Sequence, residues 1–542
     1  MPEKSREGLA TGSGIVQDPR SAMSNSATDN VRRIAEEAGL SLEFPEQVRE
    51  EAERWVRSPN IDDTDLSDLR HVPFVTVDGT DTRDLDQALW IEREGPGYVV
   101  DYAIADASWF VRPGHPLWDE ALKRGSSYYL PGLMIPMLPR TLSEGVVSLN
   151  PGVDRRALVF RMRVDQQGEC TGTRLLRARI HSHAKLSFDE VQGFYDTKEH
   201  PLSTEPYAES LRLLREVGEL RMTRADERGV VRFRRTEVGV TLSKQHQFVA
   251  VRELRLPVER YNEQISLLCN VEGARFLREG DTPGDDVDPI YRTHEGPDEE
   301  RLSAFERLVR SFVESRNLPP KPWAWDRHDA RSLSEYLSLL PSSGAEQRLA
   351  LAIHRQALFV SGRSAYSAEP AAHFGVGAEV YGRFTAPMRE IVGVFLHGEA
   401  MEKIAGEKLT DPDAPSGTAL QRAVLAAANH SKNVQKQLTR AVNEAVLNEL
   451  FSGKQKDFSG TVMGCTSEKL HVLLDEPPVD VKLYGRHLSK ALGRKVVASD
   501  DGAELRDQTG RVLCRLGDRV QVHVLGRDEH AKRWQLALEP QV

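Results

Sequence analysis

The chain has few cysteines, few aromatic residues and no long apolar run. Its 4 cysteines form no CxxC pair, which argues against a zinc site or a disulfide framework and indicates a reducing cytoplasm. No apolar stretch approaches the roughly 18 residues that span a bilayer, and no apolar segment follows the N-terminal charges. We therefore expect a cytoplasmic protein without a membrane segment or a secretory signal.

The chain also lacks an excess of positive charge and a phosphate-binding loop of the Walker type. Its formal net charge of -10 counts against a protein that coats nucleic acid, but leaves room for an enzyme that passes one strand through a locally basic channel. Without a Walker loop, ATP-driven chemistry is not indicated. The length predicts a globular protein of about two to four domains.

Acidic residues are concentrated in one short stretch, TVDGTDTRDLDQA at residues 76–88, between apolar runs that predict strands. Asp84 and Asp86 are two residues apart, so in an extended chain they leave the same face while Leu85 turns into the core. Asp78 stands before a glycine that permits a turn, which lets the three carboxylates converge. Such an all-oxygen group suits Mg²⁺ or Mn²⁺ and metal-assisted phosphodiester hydrolysis. The alternative is an inert, solvated acidic turn.

The N-terminal region before these strands has two parts. Residues 1–27 are polar and without periodicity, and we expect a disordered tail. Residues 28–68 contain two short helical patterns that resemble a helix-turn-helix. This pair is either a nucleic-acid-binding module or a packing appendage, and the appendage is the commoner case.

Four stretches in a fixed order carry a resemblance to a known family. They are VTVDGTDTRDLDQA, the loop-rich run from DYAIADASWF to ALVFRM, PIYRTHEGPDEERL and HFGVGAEVYGRFTAPMRE. Together they resemble the catalytic domain of the ribonuclease II / ribonuclease R (RNB) family. The resemblance implies a hydrolytic exoribonuclease that digests single-stranded RNA from its 3′ end with Mg²⁺ and releases nucleoside 5′-monophosphates.

The family motifs also imply roles for individual residues. Asp78, Asp84 and Asp86 match family aspartates that bind metal and act in catalysis. Arg389 matches an arginine that contacts the phosphate near the metals, where a guanidinium offers several fixed donors. Tyr129 matches a tyrosine that stacks against the terminal base. The resemblance thus implies catalytic roles for the three aspartates and Arg389, and RNA contacts for Tyr129 and Arg389.

Two positions depart from the family pattern. Gln87 stands where the family has a fourth aspartate. As a ligand its neutral amide is weak, which predicts lower metal affinity, a need for Mn²⁺, or compensation by Asp81 or Asp106. Glu390 follows Arg389 where the family usually continues with arginine, which adds negative charge. These departures support an alternative function, a catalytically weakened RNA-binding or scaffold protein on the same fold.

The C-terminal part changes to short β-rich runs separated by turns. This pattern predicts a five-stranded barrel and resembles an S1-type RNA-binding domain. Lys482 and Arg486 are candidate phosphate contacts there. Phe458, His471 and Tyr484 are candidate stacking residues, each equally well explained as a core or surface side chain.

The predicted fold class is α+β with several domains. A short helical N-terminal element leads into a mixed α/β RNB catalytic domain at 69–452, and an S1-type OB-fold barrel follows at 456–541. We expect the cold-shock barrels of typical bacterial members to be absent, which predicts a wider opening for RNA and tolerance of structured substrates. We also expect a monomer that takes the 3′ end of single-stranded RNA, since the S1-like barrel argues against a DNA-directed nuclease.

Overall fold

The computed structural model describes residues 27–231, 237–253, 255–279, 287–328, 331–406, 417–453, 455–528, 530 and 533–539. Except for Ala27, the predicted disordered tail lies outside these residues. The described chain contains a large mixed sheet with its helices, a further group of helices and a C-terminal barrel. The predicted α+β fold class is confirmed.

The first nine described strands are β1 (Ser67–Asp68), β2 (Val75–Asp78), β3 (Gln87–Glu94), β4 (Gly97–Ala105), β5 (Tyr128–Leu130), β6 (Leu133–Ile135), β7 (Asp154–Val164), β8 (Cys170–His181) and β9 (Ala184–Ser187). Seven of them form one mixed sheet in the order β1-β8-β7-β4-β3-β2-β9, and β5 and β6 form a separate hairpin. All nine residues of β4 are buried, as expected for a central strand covered on both faces.

The neighbouring strands β2 and β3 separate early. They pair only at Val75 and Leu89, whereas β2 continues in parallel with β9 until Asp78 lies opposite Ser187. The aspartate loop therefore spans an open gap at the end of the sheet. This gap is where the structure places the predicted site.

Fourteen helices are described: α1 (Ala27–Glu37), α2 (Glu46–Arg57), α3 (Ala107–Phe110), α4 (Pro116–Arg124), α5 (Phe188–Asp196), α6 (Ala208–Glu227), α7 (Pro257–Arg278), α8 (Glu299–Arg316), α9 (Pro320–Trp323), α10 (Leu333–Leu339), α11 (Gln347–Ala357), α12 (Ile391–Ala405), α13 (Gly417–Ser452) and α14 (Gly485–Leu492). Periodicity predicts α6, α7, α8, α11 and α13, and the structure confirms them. Two small two-stranded sheets lie among the helices, β10 (Glu237–Leu242) with β11 (Phe248–Glu253), and β12 (Tyr291–Thr293) with β13 (Ala365–Ser367). Within the described ranges, no helix combines the length and apolar character needed to cross a membrane.

The two N-terminal helices pack into different hydrophobic clusters. On α1, Val31 and Ile34 join a cluster that includes Leu438 of α13. On α2, Val48 and Ala52 belong to the main core of the sheet. Each helix is thus part of the surrounding protein, which fits the packing appendage better than a free-standing nucleic-acid-binding module.

The C-terminal barrel contains eight strands: β14 (Asp457–Cys465), β15 (Lys469–Leu474), β16 (Asp480–Tyr484), β17 (Val496–Ala498), β18 (Glu504–Asp507), β19 (Val512–Arg515), β20 (Arg519–Asp528) and β21 (Arg533–Leu538). Five form a sheet in the order β16-β15-β14-β20-β21, and β17 to β19 form a three-stranded sheet. Phe458 is only 2% exposed and lies in the barrel core. It is therefore a core residue and not one of the stacking aromatics.

The barrel is docked firmly on helices α8 and α11. Met463 and Leu516 of the barrel share a hydrophobic cluster with Phe312 and Ile353 of these helices. Arg316 adds polar contacts, since its guanidinium donates to the Leu516 carbonyl and forms an ion pair with Asp518 at 2.6 Å. Because apolar packing and backbone acceptors act together, the barrel has a fixed seat on these two helices.

A glycine substitution at this seat is expected to destabilise the protein by more than backbone strain alone. Gly517 has φ +83°, and a Cβ there would lie 2.8 Å from Leu349 Cδ2. Gly510 has a similar φ of +87° but open space around it. We expect Gly510→Ala to lower the free energy of unfolding by about 1 kcal/mol and Gly517→Ala by about 2–3 kcal/mol, measured by urea denaturation. Equal losses in the two variants would contradict a tight seat.

Candidate active site

The aspartate loop is held in place by the long loop between α4 and β7. Leu85 N donates to Ser148 Oγ at 2.9 Å, and Ser148 Oγ donates to the Arg83 carbonyl at 3.0 Å. Leu149 N donates in turn to the Leu85 carbonyl. Leu85 is buried, as predicted, although β3 begins only at Gln87 and the segment before it is irregular. The long loop between α4 and β7 thus shapes the site.

Asp86 and Arg389 form the closest pair in the site. Arg389 Nε lies 2.6 Å from Asp86 Oδ2, and Met388 N donates to Asp86 Oδ1 at 3.1 Å. Asp86 is only 2% exposed. A segment about 300 residues away in sequence therefore supplies both the counter-charge and a backbone donor to this carboxylate.

Tyr129 lies beside the same group. It is 51% exposed on the β5–β6 hairpin, and its hydroxyl donates to Asp84 Oδ2 at 3.3 Å. Ser127 N, at the start of this hairpin, donates to the Arg389 carbonyl at 2.8 Å. The structure therefore brings Tyr129, Arg389 and the aspartate loop together, as the sequence predicts.

The aspartates influence one another electrostatically. Burial raises the pKa of Asp78 to about 7 and that of Asp86 to about 6. Nearby carboxylates add to both shifts, while the Arg389 guanidinium opposes them. Asp78, Asp84 and Asp86 are close enough to repel one another, and a single guanidinium does not neutralise them.

A divalent cation fits this donor chemistry. Carboxylate oxygens are the preferred ligands of Mg²⁺, and a positive ion would relieve the repulsion that raises the two pKa values. Within the described residues, however, no three acidic, histidine or cysteine side chains are already gathered around one point that could hold a metal. Asp78, Asp84 and Asp86 are the residues that would hold the ion, and their carboxylates would have to move closer together to share it. When bound, it would polarise a phosphate and activate water.

The pKa values predict how Mg²⁺ changes thermal stability with pH. The pKa of an aspartate in an unfolded chain is about 3.9. Asp78 and Asp86 keep their protons to higher pH when folded. Their contribution to the stability of the metal-free protein therefore falls between about pH 4 and about pH 7. Because Mg²⁺ binds the ionised form, it should raise Tm more at about pH 8 than at about pH 5.5. The two increases in Tm should differ by about 2 °C or more.

The same thermal measurement on Asp78→Asn provides the control. This variant lacks one of the two groups with a raised pKa, so the pH dependence of the Mg²⁺ effect should shrink. An identical rise in Tm at both pH values in the unmodified chain would count against metal binding at these carboxylates.

Gln87, the predicted weak fourth ligand, is tied to the protein on both sides of its amide. Its Oε1 accepts a hydrogen bond from the Tyr102 hydroxyl, and its Nε2 donates to the Thr385 carbonyl. Tyr102 is 1% exposed. These bonds favour a structural role for Gln87 and argue against its use as a metal ligand.

Loss of the Gln87 side chain should therefore reduce stability. Gln87→Ala removes the acceptor of the buried Tyr102 hydroxyl, and we expect the free energy of unfolding to fall by about 1–3 kcal/mol, with and without Mg²⁺. In a Tyr102→Phe background the same substitution should cost less, because the hydroxyl is already gone. A loss seen only when Mg²⁺ is present would restore the ligand role.

Neither predicted substitute for the missing aspartate replaces it. Asp106 is fully buried and forms ion pairs with Arg177 at 2.8 Å and with Arg156 at 3.5 Å. Asp81 is exposed on the turn that follows Asp78. The ion pairs of Asp106 and the exposed position of Asp81 argue against either residue as the compensating ligand.

The negative charge of Glu390 is offset within the protein. Arg383 Nε donates to Glu390 Oε1 at 2.8 Å, and the Tyr366 hydroxyl donates to Oε2. Although burial alone would raise it, Arg383 lowers the pKa of Glu390 to about 2. Glu390 is therefore ionised and paired. Because Arg383 lies near Arg389, its neutralisation by Glu390 fits the expectation that Glu390 makes the surroundings of Arg389 less basic.

Sequence reasoning missed Asn270, which anchors the segment that carries Arg389. This fully buried side chain on α7 accepts from Phe384 N at 2.7 Å and from Thr385 N at 3.2 Å. It also donates to the Tyr381 hydroxyl and to Thr385 Oγ1. The signal that could have revealed it is a lone amide inside the apolar helical run ISLLCNV. Tyr381 and Thr385 thereby have a positioning role.

The two barrel candidates lie away from the aspartate loop. Lys482 is on β16, where partial burial and the nearby Lys469 and Arg440 lower its pKa. Arg486 is exposed on α14 and donates to His487 at 3.2 Å. Neither contacts the aspartate loop in the part of the chain that is described, so any role in RNA binding is at a distance from the site.

The geometry agrees with what sequence comparison finds. The sequence model of the RNB domain matches residues 66–397, which is more than half of the chain. The chain belongs to the RNB family. Ribonuclease R of Vibrio cholerae is 29% identical over 510 residues, which cover 90% of this RNB-family chain and 57% of that protein. The chain thus spans little more than half the length of such curated relatives.

Solved structures show the same fold. Mycoplasma genitalium RNase R in complex with ribose-methylated single-stranded RNA matches with a TM-score of 0.80 at 22% identity, over 95% of this RNB-family chain and 78% of the other. Its complex with double-stranded RNA gives 0.75 at 22% identity, over 95% and 84%. Yeast Ssd1, described as a pseudonuclease, gives 0.62 at 14% identity, over 95% and 59%. An RNB fold alone therefore does not settle activity.

Proposed function

We propose that the protein is a Mg²⁺-dependent hydrolytic exoribonuclease that degrades single-stranded RNA from its 3′ end to nucleoside 5′-monophosphates. The observation that carries the proposal is the cluster of Asp78, Asp84 and Asp86 with Arg389 and the exposed Tyr129. Membership of the RNB family and the similarity to ribonuclease R support the same activity.

Each side chain suits one part of this reaction. The three aspartates would hold Mg²⁺ (Mn²⁺ is the alternative). The Arg389 guanidinium, aligned by Asp86, offers its remaining N–H groups to a phosphate. Tyr129 presents an exposed ring at the edge of the site, where any base can stack against it. Contacts of this kind require no particular base, which fits an enzyme that shortens RNA one nucleotide at a time.

Incubation of a 5′-labelled oligo(A) with Mg²⁺ or Mn²⁺ tests the proposal. We expect a ladder that shortens from the 3′ end, and nucleoside 5′-monophosphate as the released product on chromatography. A blocked 3′ end should prevent digestion, and the matching deoxyribo-oligomer should survive. Internal fragments, or nucleoside 3′-monophosphates, would contradict the proposed chemistry.

The second candidate function is an RNA-binding or scaffold protein with little catalysis. It is favoured by Gln87 in place of an acidic ligand and by the likeness to the pseudonuclease Ssd1. In the same assay this candidate requires RNA binding without product under either metal. The other argument for it is Glu390, which neutralises Arg383 near the site.

Tolerance of structured RNA is a finer part of the proposal. Its support is the fold shared with the RNase R that is known in complex with double-stranded RNA. A hairpin with a single-stranded 3′ extension should then be shortened into its stem. Arrest at the first base pair would confine the activity to single strands.

A further inference from the structure

A cavity lies next to the segment that carries Arg389, and Tyr381 of that segment is part of its lining. It has a volume of about 400 Å³, within the range of small-ligand pockets, and its polar lining comprises Arg292, His294, Ser361, Ser364, His373 and Tyr381. Arg292 of the lining lies over the ring of Tyr366, whose hydroxyl bonds Glu390, the residue next to Arg389. Apart from Tyr381, which helps to position the segment before Arg389, the lining residues have no part in the proposed hydrolysis.

The cavity carries positive charge that is not paired. Arg292 donates to Ser364 Oγ at 3.4 Å, and Lys432 donates to the Ser364 carbonyl at 2.6 Å. Both cations also lie over the Tyr366 ring, at 5.9 and 5.4 Å from its centroid. Within the described residues neither forms an ion pair, and Glu390, which influences both electrostatically, is bound by Arg383. Arg292 therefore lines the cavity, and Lys432 lies next to the lining at Ser364.

Buried polar atoms in the cavity also lack partners. His373 is 8% exposed, and its Nδ1 has no hydrogen bond among the described residues, nor does Nε of Arg292. His294 is saturated, because its Nε2 bonds the Gly362 carbonyl and its Nδ1 accepts from Gly375 N. Burial and the neighbouring Arg292 lower the pKa of His373 to about 4, so its ring is neutral near pH 7. Two buried nitrogen atoms at the cavity, His373 Nδ1 and Arg292 Nε, are thus without a hydrogen-bond partner among the described residues.

An exposed aromatic ring stands beside the mouth of the cavity. Phe359 is 66% exposed, and its chain neighbour Leu358 lines the cavity. Among the described residues, the large apolar side chains with marked exposure include only two aromatics, Phe359 and Tyr129. An aromatic ring near two cations is a combination that can bind a base and a phosphate at the same time.

We propose that this cavity is a second nucleotide-binding subsite, in which Phe359 stacks against a base while Arg292 and Lys432 hold a phosphate group. The nucleotide is either part of the RNA strand or a free mononucleotide. The inference rests on the proposed function only in the choice of a nucleotide as the ligand. Binding at the subsite requires no hydrolysis.

Binding of a fluorescent oligo(A) in excess EDTA, followed by anisotropy, tests the subsite without catalysis. Phe359→Ala should raise Kd by about fivefold to about 150-fold, the loss that corresponds to one stacked base. Leu339→Ala is the matched control, since Leu339 is also exposed, at 51%, but lies on α10 away from the cavity lining. Lys432→Met should lower the slope of log K against log salt by about 0.7, the contribution of one phosphate contact to a single strand.

Competition with AMP and with adenosine identifies the occupant. If the variants weaken AMP displacement as well, a free nucleotide occupies the subsite, whereas an effect on oligo(A) alone assigns it to the strand. Unchanged Kd in Phe359→Ala together with an unchanged salt slope in Lys432→Met overturns the proposal. If the variants show the expected losses while the unmodified chain releases no nucleotide under either metal, the subsite stands and the proposed function fails.

Discussion

Replacing Asp86 with asparagine is expected to lower the rate of RNA hydrolysis by about a thousandfold, the size of effect seen when one preorganised charge-stabilising group is lost. Asp86 is buried, and it alone among the three aspartates bonds the Arg389 guanidinium. Asparagine keeps the size of the side chain but removes its charge, so both the proposed metal site and the orientation of Arg389 are weakened. Release of mononucleotide from labelled oligo(A) measures the effect.

Asp81→Asn is the matched control for this experiment. Asp81 belongs to the same loop but is exposed, so its rate should stay close to that of the unmodified chain. A thermal melt of both variants shows whether either has lost its fold. If Asp86→Asn kept half of the activity, Asp86 would have to be removed from the proposed catalytic group.

Replacing Arg389 with methionine should lower hydrolysis by about a hundredfold to a thousandfold near pH 7. Two effects combine, because the variant loses a phosphate donor and also the cation that holds down the pKa of Asp78 and Asp86. Without that cation both pKa values rise further, and the carboxylates stay protonated to higher pH. The ratio of unmodified to variant rate should therefore be larger at about pH 6 than at about pH 9.

Two further variants separate charge from geometry. Arg389→Lys keeps a positive charge, so it should preserve the shape of the pH profile while losing part of the rate. Arg83→Met is the control, since Arg83 lies in the aspartate loop with its side chain 75% exposed. A rate ratio for Arg389→Met that does not vary with pH would show that Arg389 does not control ionisation of the aspartates.

The parts of the site that sequence predicts are those fixed by short spacing or by family motifs. The short gap from Asp78 to Asp86 predicts convergence, and the structure places their carboxylates close enough to repel. Long periodic runs likewise predict helices such as α8 and α13, because their apolar stripes face the core. Tyr129 and Arg389, far apart in sequence, were placed by the resemblance alone.

The parts that sequence does not predict depend on contacts between distant segments. Gln87 reads as a weakened metal ligand, yet its amide lies between Tyr102 and the carbonyl of a residue 298 positions away. The sequence shows only that Glu390 adds a negative charge, whereas the structure shows that this charge is paired with Arg383. Spacing in the sequence cannot identify the distant carbonyl or Arg383 as these partners. Both belong to an irregular segment, which has no period that fixes the direction of its groups.

The saturated amide of Asn270 has a consequence for how this protein can vary. Its oxygen and nitrogen are matched to two backbone N–H groups and two hydroxyls on the segment before Arg389. Aspartate has the same shape but no N–H groups, and leucine has neither donor nor acceptor. A replacement without an acceptor, such as Asn270→Leu, would therefore leave two backbone N–H groups of the arginine segment unbonded beside helix α7.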